Sequence, residues 1–184
     1  MVLLHSIAHL VDGTHQRCAE HFDLVIVDMP ASGHAVTMLG VPQGITRIAK
    51  FGTIATLAVK LKGLLDNRQN TAIAVVTLPE ELPVNESIQL VGKLQKEVGL
   101  HTEQIIINSI CAGELSSDEV ALLDNMLVEL PSGSAKNLIT LGSINETVRK
   151  RQAGRMVILK EQLELGFTEI STYSKRGYAL IDSI

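Results

Sequence analysis

Three short apolar runs constrain the fold more than anything else in this chain. Residues 22–28 (FDLVIVD), 72–77 (AIAVVT) and 104–109 (QIIINS) are rich in Val and Ile and carry apolar side chains at successive positions. They are too short for buried helices, and the absence of alternation marks strands covered on both faces. Helical patterns accompany them. Val84, Ile88, Val91, Leu94 and Val98 recur at helical spacing, and Ser116 followed by Glu119 is a capping-box signature opening a helix that reaches Leu127. A long helix is expected over about 145–165, with Val148, Met156, Leu159 and Leu163 on its apolar side. Strands separated by helices need crossover connections, so the expected fold is α/β, a mostly parallel sheet flanked by helices.

The 184 residues contain no internal repeat, low-complexity tract or Pro/Gly/Ser linker and are read as a single α/β unit. Residues 43–66 interrupt the rhythm as a helical insertion. Ile54, Leu57, Leu61, Leu64 and Leu65 fall on one face, while Ile48, Phe51, Ala55 and Ala58 fall on another. A helix apolar on more than one side either covers a sheet or meets a protein outside the domain, so 43–66 is a candidate client-contact surface. Arg47, Lys50, Lys60 and Lys62 interrupt it too often for a membrane span, and no other run is long and apolar enough. Aromatic content of 3% with no Trp leaves little for base stacking, and a net charge of −4 denies the basic footprint of a nucleic-acid binder. Cys18 and Cys111 lie far apart without metal-ligand neighbours, and no basic leader precedes a cleavage site, so a cytoplasmic location is expected.

Chemistry concentrates where the first run ends. The run delivers Asp28, and the loop that follows, M-P-A-S-G-H, supplies Pro30 to fix the chain, the Ser32 hydroxyl, Gly33 for close backbone approach to an anion, and His34 as a donor. The carboxyl edge of a parallel sheet is where α/β folds bind ligands, and a strand-end carboxylate suits Mg²⁺, which keeps most of its waters. Pro30 and Gly33 would equally shape an ordinary strand-to-helix turn. His5, His9, His15 and His21 recur near the start but lack an acidic or Cys third ligand. Arg149, Lys150, Arg151 and Arg155 read as a solvated basic face, and residues 131–136 (PSGSAK) as a surface loop.

Taken together, FDLVIVDMPASGHAVTMLGVP, TLPEELPVNESIQLVGKL and QIIINS resemble the arsenite-pump, or anion-transporting, ATPase family, which includes the tail-anchored-protein targeting ATPases among the dimeric P-loop ATPases. The likeness is clear from about residue 20 to residue 110 and looser beyond. It implies ATP and Mg²⁺ as cofactors and a homodimer as the working form. Asp28 then corresponds to the carboxylate on Mg²⁺, and Gly33 and His34 to the second switch, although Met29, Pro30, Ala31 and Ser32 depart from the family's middle residues. The resemblance makes Asn108 the adenine contact, through the paired donor and acceptor of its amide. Glu80 matches the acidic residue that approaches nucleotide across the dimer. Glu86 matches a helix-opening Glu, for which capping alone is sufficient reason. Ile170, Ser171 and Thr172 fall where the family has its adenine loop, without the expected prolines.

The departures bear equally on function. No Gly-rich loop ending in Gly-Lys-Ser/Thr occurs, because the single Gly92-Lys93 pair lies inside a helical pattern with Ser87 where the first glycine belongs. The family's metal-binding cysteines are absent too. The chain therefore reads as the portion of an ATPase domain downstream of its P-loop. On this reading it supplies switch and adenine-binding parts to an ATP-hydrolysing dimer but does not itself turn over ATP. A non-catalytic binding or dimerisation module that has lost the P-loop is the alternative. An esterase lacks its G-x-S-x-G elbow, and a dinucleotide enzyme its G-x-G-x-x-G.

Overall fold

The computed structural model describes residues 6–7, 9–10, 22–30, 32–113 and 115–172. His5, His15, His21 and Cys18 lie outside the described residues. The chain divides into two compact units, one of the described residues up to Ala74 with Gln89–Glu103, the other of Val75–Ile88 with the described residues from Gln104 onward.

The first unit is helical. Helix α1 (Ser32–Ile48) passes through Pro42, whose ring is fully buried and which leaves the carbonyl four residues earlier without its helical donor. It closes with the Ala49 N–H donating to the Ile45 carbonyl (2.8 Å) and Lys50 Nζ donating to that of Thr46 (3.2 Å). The chain then turns at Gly52, whose φ of 94° lies in the region glycine enters without a Cβ penalty. Helix α2 (Thr53–Asp66) buries Ala55, Ala58 and Leu61, with Leu57, Leu64 and Leu65 half-buried beside them. Ile54 is exposed, so the apolar face expected for it is rotated toward the alanines, and Ile48 and Phe51 at the corner are 87% and 93% exposed.

The core of this unit sets Val36 and Leu39, one turn apart on α1, against Leu94, Val98 and Leu100. Leu94 and Val98 belong to a π-helical turn, Leu94–Val98, that continues helix α3 (Glu81–Lys93). Gly99 ends it at φ 78°, where the Leu100 N–H donates back to the Leu94 carbonyl (3.0 Å).

One expectation fails here. Residues 24–30 carry no strand ladder, and Leu24 and Ile26 are 75% and 85% exposed instead of buried on both faces. Exposure alternates, with Leu24, Ile26 and Asp28 open and Val25, Val27 and Met29 half-buried. That is the period of an extended chain. The β-branched composition sets the extended backbone, but a ladder needs a neighbouring strand, and none pairs with this segment among the described residues.

The second unit carries the sheet. Strands β1 (Ala74–Thr77), β2 (Gln104–Ile110) and β3 (Gly166–Ser171) lie in that order in a small parallel sheet. β2 and β3 pair from Gln104↔Gly166 to Ile107↔Glu169, after which an irregularity shifts the register to Ile110↔Ser171. Ile105 and Ile107 are completely buried, as are Val75 and Thr77 nearly so, which matches the two apolar runs expected there. Helix α4 (Ser117–Glu129) starts at the predicted capping box, with the Glu119 N–H donating to Ser116 Oγ (3.2 Å) and the Ser116 N–H donating to Glu119 Oε2 (2.8 Å). Helix α5 (Ser134–Gln162) is longer than the expected 145–165 at its start. Its first residues, 134–136, therefore occupy the end of the segment expected as a surface loop. Leu159 on α5 is fully buried and Leu163 follows it inward.

Candidate functional site

Within the second unit, the candidate residues gather where the three strands end. Glu80 lies in the short connection between β1 and α3, beside buried Pro79, and its own side chain is exposed. Asn108 sits near the carboxyl end of β2 and is also exposed. Ile170 and Ser171 are the last residues of β3, a strand rather than the loop the sequence suggested, and the Thr172 N–H donates to the Ile110 carbonyl (2.8 Å). Ile110 and Thr172, far apart in sequence, are thus joined at one edge of a parallel sheet, the edge at which such sheets bind ligands.

The backbone at Asn108 is unusual. The ladder is irregular between Ile107 and Ile110, Ser109 takes φ 60°, and the Ser109 N–H donates to Asn108 Oδ1 (2.8 Å). Asn108 Oδ1 is therefore engaged by its own chain, while the amide nitrogen is directed by the same bond. Gln152 of α5 reaches this bulge. It is 7% exposed, its Oε1 accepts from the Cys111 N–H (2.8 Å), and its Nε2 donates to the Ser109 carbonyl (3.3 Å). Sequence reasoning gave Gln152 no role, because a glutamine amid Arg149, Lys150 and Arg151 looks like part of a wet helix face.

Gln152 and Glu80 both line a groove of about 590 Å³, walled by Pro79, Val148 and Ile158 and by the charges of Glu81, Lys150, Arg151 and Arg155. Arg155 pairs with Glu81 (2.5 Å). Arg149 grips Glu146 through two bonds of 2.8 Å, with Lys150 3.7 Å away on the same carboxylate. The basic run read as a solvated face is thus largely occupied by ion pairs. Arg149's hydrogen bonds hold the Glu146 carboxyl below the usual carboxylate range, against a smaller opposing effect of burial.

In the first unit, Asp28 is exposed at the end of the extended segment, and Gly33 and His34 are exposed in the first turn of α1. That turn offers backbone N–H groups without helical partners. A Cβ at Gly33 would meet nothing within 4 Å, so packing does not require glycine there. His9 is the one described member of the N-terminal histidine series, and no group of three or more His, Cys, Asp or Glu residues suited to a metal occurs among the described residues. A single exposed carboxylate such as Asp28 fits Mg²⁺ held through water, and an exposed Asn amide fits an adenine edge.

Comparison with known proteins bears out the resemblance drawn from the motifs. Residues 49–124 match the model of the anion-transporting ATPase family. The chain is 29% identical over 132 residues to ATPase BagA of Mycobacterium tuberculosis (strain ATCC 25618 / H37Rv), a match covering 65% of this chain and 38% of that protein. The same identity and coverage relate it to the protein named "Putative ATPase Mb3704" of Mycobacterium bovis. The chain thus spans well under half the length of these relatives.

Proposed function

We propose that this chain, related to the anion-transporting ATPases over residues 49–124, is the switch and adenine-binding portion of an ATP-hydrolysing homodimer of the cytoplasm. The supporting observation is the convergence of Glu80, Asn108, Ser171 and Thr172 on one edge of a parallel sheet, from segments that the family resemblance had singled out separately. In this reading Asn108 offers its amide to adenine, and Glu80 approaches the nucleotide bound by the partner. Asp28 holds the water shell of Mg²⁺, and the Gly33 and His34 turn responds to the terminal phosphate. Bound Mg²⁺ supplies neutralisation of the phosphate oxygens. Without a Gly-Lys-Ser/Thr loop in these 184 residues, the lysine that would share that task is missing.

Calorimetric titration of the chain with ATP and Mg²⁺, beside a turnover assay, tests the reading. Weak binding that is lost in Asn108→Ala and reduced in Asp28→Asn, with no turnover, is the expected result. Failure of the wild-type chain to bind ATP at all overturns the nucleotide role. Hydrolysis that vanishes in Asp28→Asn overturns the claim that this portion is inert alone.

A second reading, a non-catalytic docking or dimerisation module, is favoured by the open apolar corner of Ile48, Phe51 and Ile54 within the 43–66 segment.

A further inference from the structure

We infer that Gln152 is a positioning residue for Asn108: its two hydrogen bonds clamp the bulge that follows Asn108 and so fix the direction in which the Asn108 amide leaves β2. The inference rests on the adenine role proposed for Asn108.

Four observations carry it. The β2 ladder is irregular between Ile107 and Ile110, so the sheet does not by itself define the backbone after Asn108. Ser109 lies at φ 60°, a conformation that costs a residue with a Cβ about 1 kcal/mol and persists only where surroundings impose it. Gln152 supplies the imposition. Its carboxamide takes the Cys111 N–H and gives to the Ser109 carbonyl, one acceptor and one donor matched to the two backbone groups that flank the bulge. Finally, the Asn108 side chain is tied to the same Ser109 through the Ser109 N–H, so whatever orients residue 109 orients Asn108. The Gln152 side chain is itself buried, which raises the cost of leaving its amide without these partners.

Only a side chain with both a donor and an acceptor at this length satisfies the clamp. Glutamate keeps the acceptor for Cys111 but, ionised, faces the Ser109 carbonyl without a proton to give. Methionine keeps the volume and supplies neither bond.

The experiment compares wild type, Asn108→Ala, Gln152→Met, Gln152→Glu and the Asn108→Ala/Gln152→Met double variant. Two quantities are read on the full chain: amide hydrogen exchange at Cys111, with Ile105 and Ile107 as fold controls, and the ratio of ATP to GTP affinity. In Gln152→Met, exchange at Cys111 should rise about tenfold or more while Ile105 and Ile107 stay protected. Gln152→Glu should keep Cys111 protected. Asn108→Ala should cut the ATP preference about tenfold, the scale of a lost paired amide contact with adenine. Gln152→Met should cut it comparably, and the double variant no further than Asn108→Ala alone.

A wild-type ATP preference in Gln152→Met, alongside its loss in Asn108→Ala, overturns the positioning role and leaves the adenine reading standing. An unchanged Cys111 exchange rate in Gln152→Met overturns the clamp itself. An Asn108→Ala variant with full ATP preference overturns the adenine reading, and with it the purpose assigned to Gln152.

Discussion

At the scale of single residues, the informative side chains are polar ones whose partners lie far away or one helical turn away. Gln152 and Glu146 sit six positions apart on α5, and both are turned inward beside the basic run of Arg149, Lys150 and Arg151. Neither burial is legible in the sequence, since both are polar residues next to a run that reads as a solvated basic face. What decides it is who faces them: β2's irregular end for Gln152, and Arg149 for Glu146. The Glu146 pair has a pH signature. Its folded carboxyl titrates below the ordinary value of 4.5, so the stabilisation is complete above that value and is lost as pH falls through the lowered one. Denaturant midpoints measured into the acid range should therefore fall steeply in wild type and less steeply in Glu146→Gln. Equal slopes would mean the pair contributes nothing in solution.

At the scale of elements, local chemistry was readable wherever it was self-contained. Ser116 and Glu119 alone predict the capping box, and both of its bonds are present. Ser116→Ala should cost about 1 kcal/mol by urea denaturation, with the loss of helicity confined to α4. A change smaller than the error of the measurement would show that α4 is held by packing instead. The β1 and β2 runs are equally readable, because short unbroken apolar stretches rich in Val and Ile, five residues at 72–76 and three at 105–107, leave few alternatives. Residues 22–28 have the same composition and are not a strand. The difference is pairing, which no segment carries within itself. At 166–171 the reverse holds: a stretch with few apolar residues is a strand because β2 offers it a parallel edge.

At the scale of the whole molecule, apolar surface is the unspent feature. Ile48 and Phe51 stand open at the α1–α2 corner, and Leu24 and Ile26 along the extended segment. Exposed apolar surface of this kind marks contact sites. The chain is expected to self-associate with rising concentration in light scattering, and Phe51→Asp should shift it toward monomer without lowering the thermal midpoint. A monomer at every concentration in wild type would remove the corner as a self-contact and leave only a different protein to cover it. No helix of the described residues is long and apolar enough to cross a membrane. The sequence by itself determined the α/β alternation, the capping box, two of the strands and the resemblance to the anion-transporting ATPases, because each is written in neighbouring residues or in a motif. Only the tertiary structure decided which β-rich run obtains a ladder and which glutamine of a charged helix is buried. It also brought Glu80, Asn108 and Thr172 to one sheet edge. Those outcomes depend on hydrogen-bond partners and covering side chains tens of residues away, and local propensity contains no information about them.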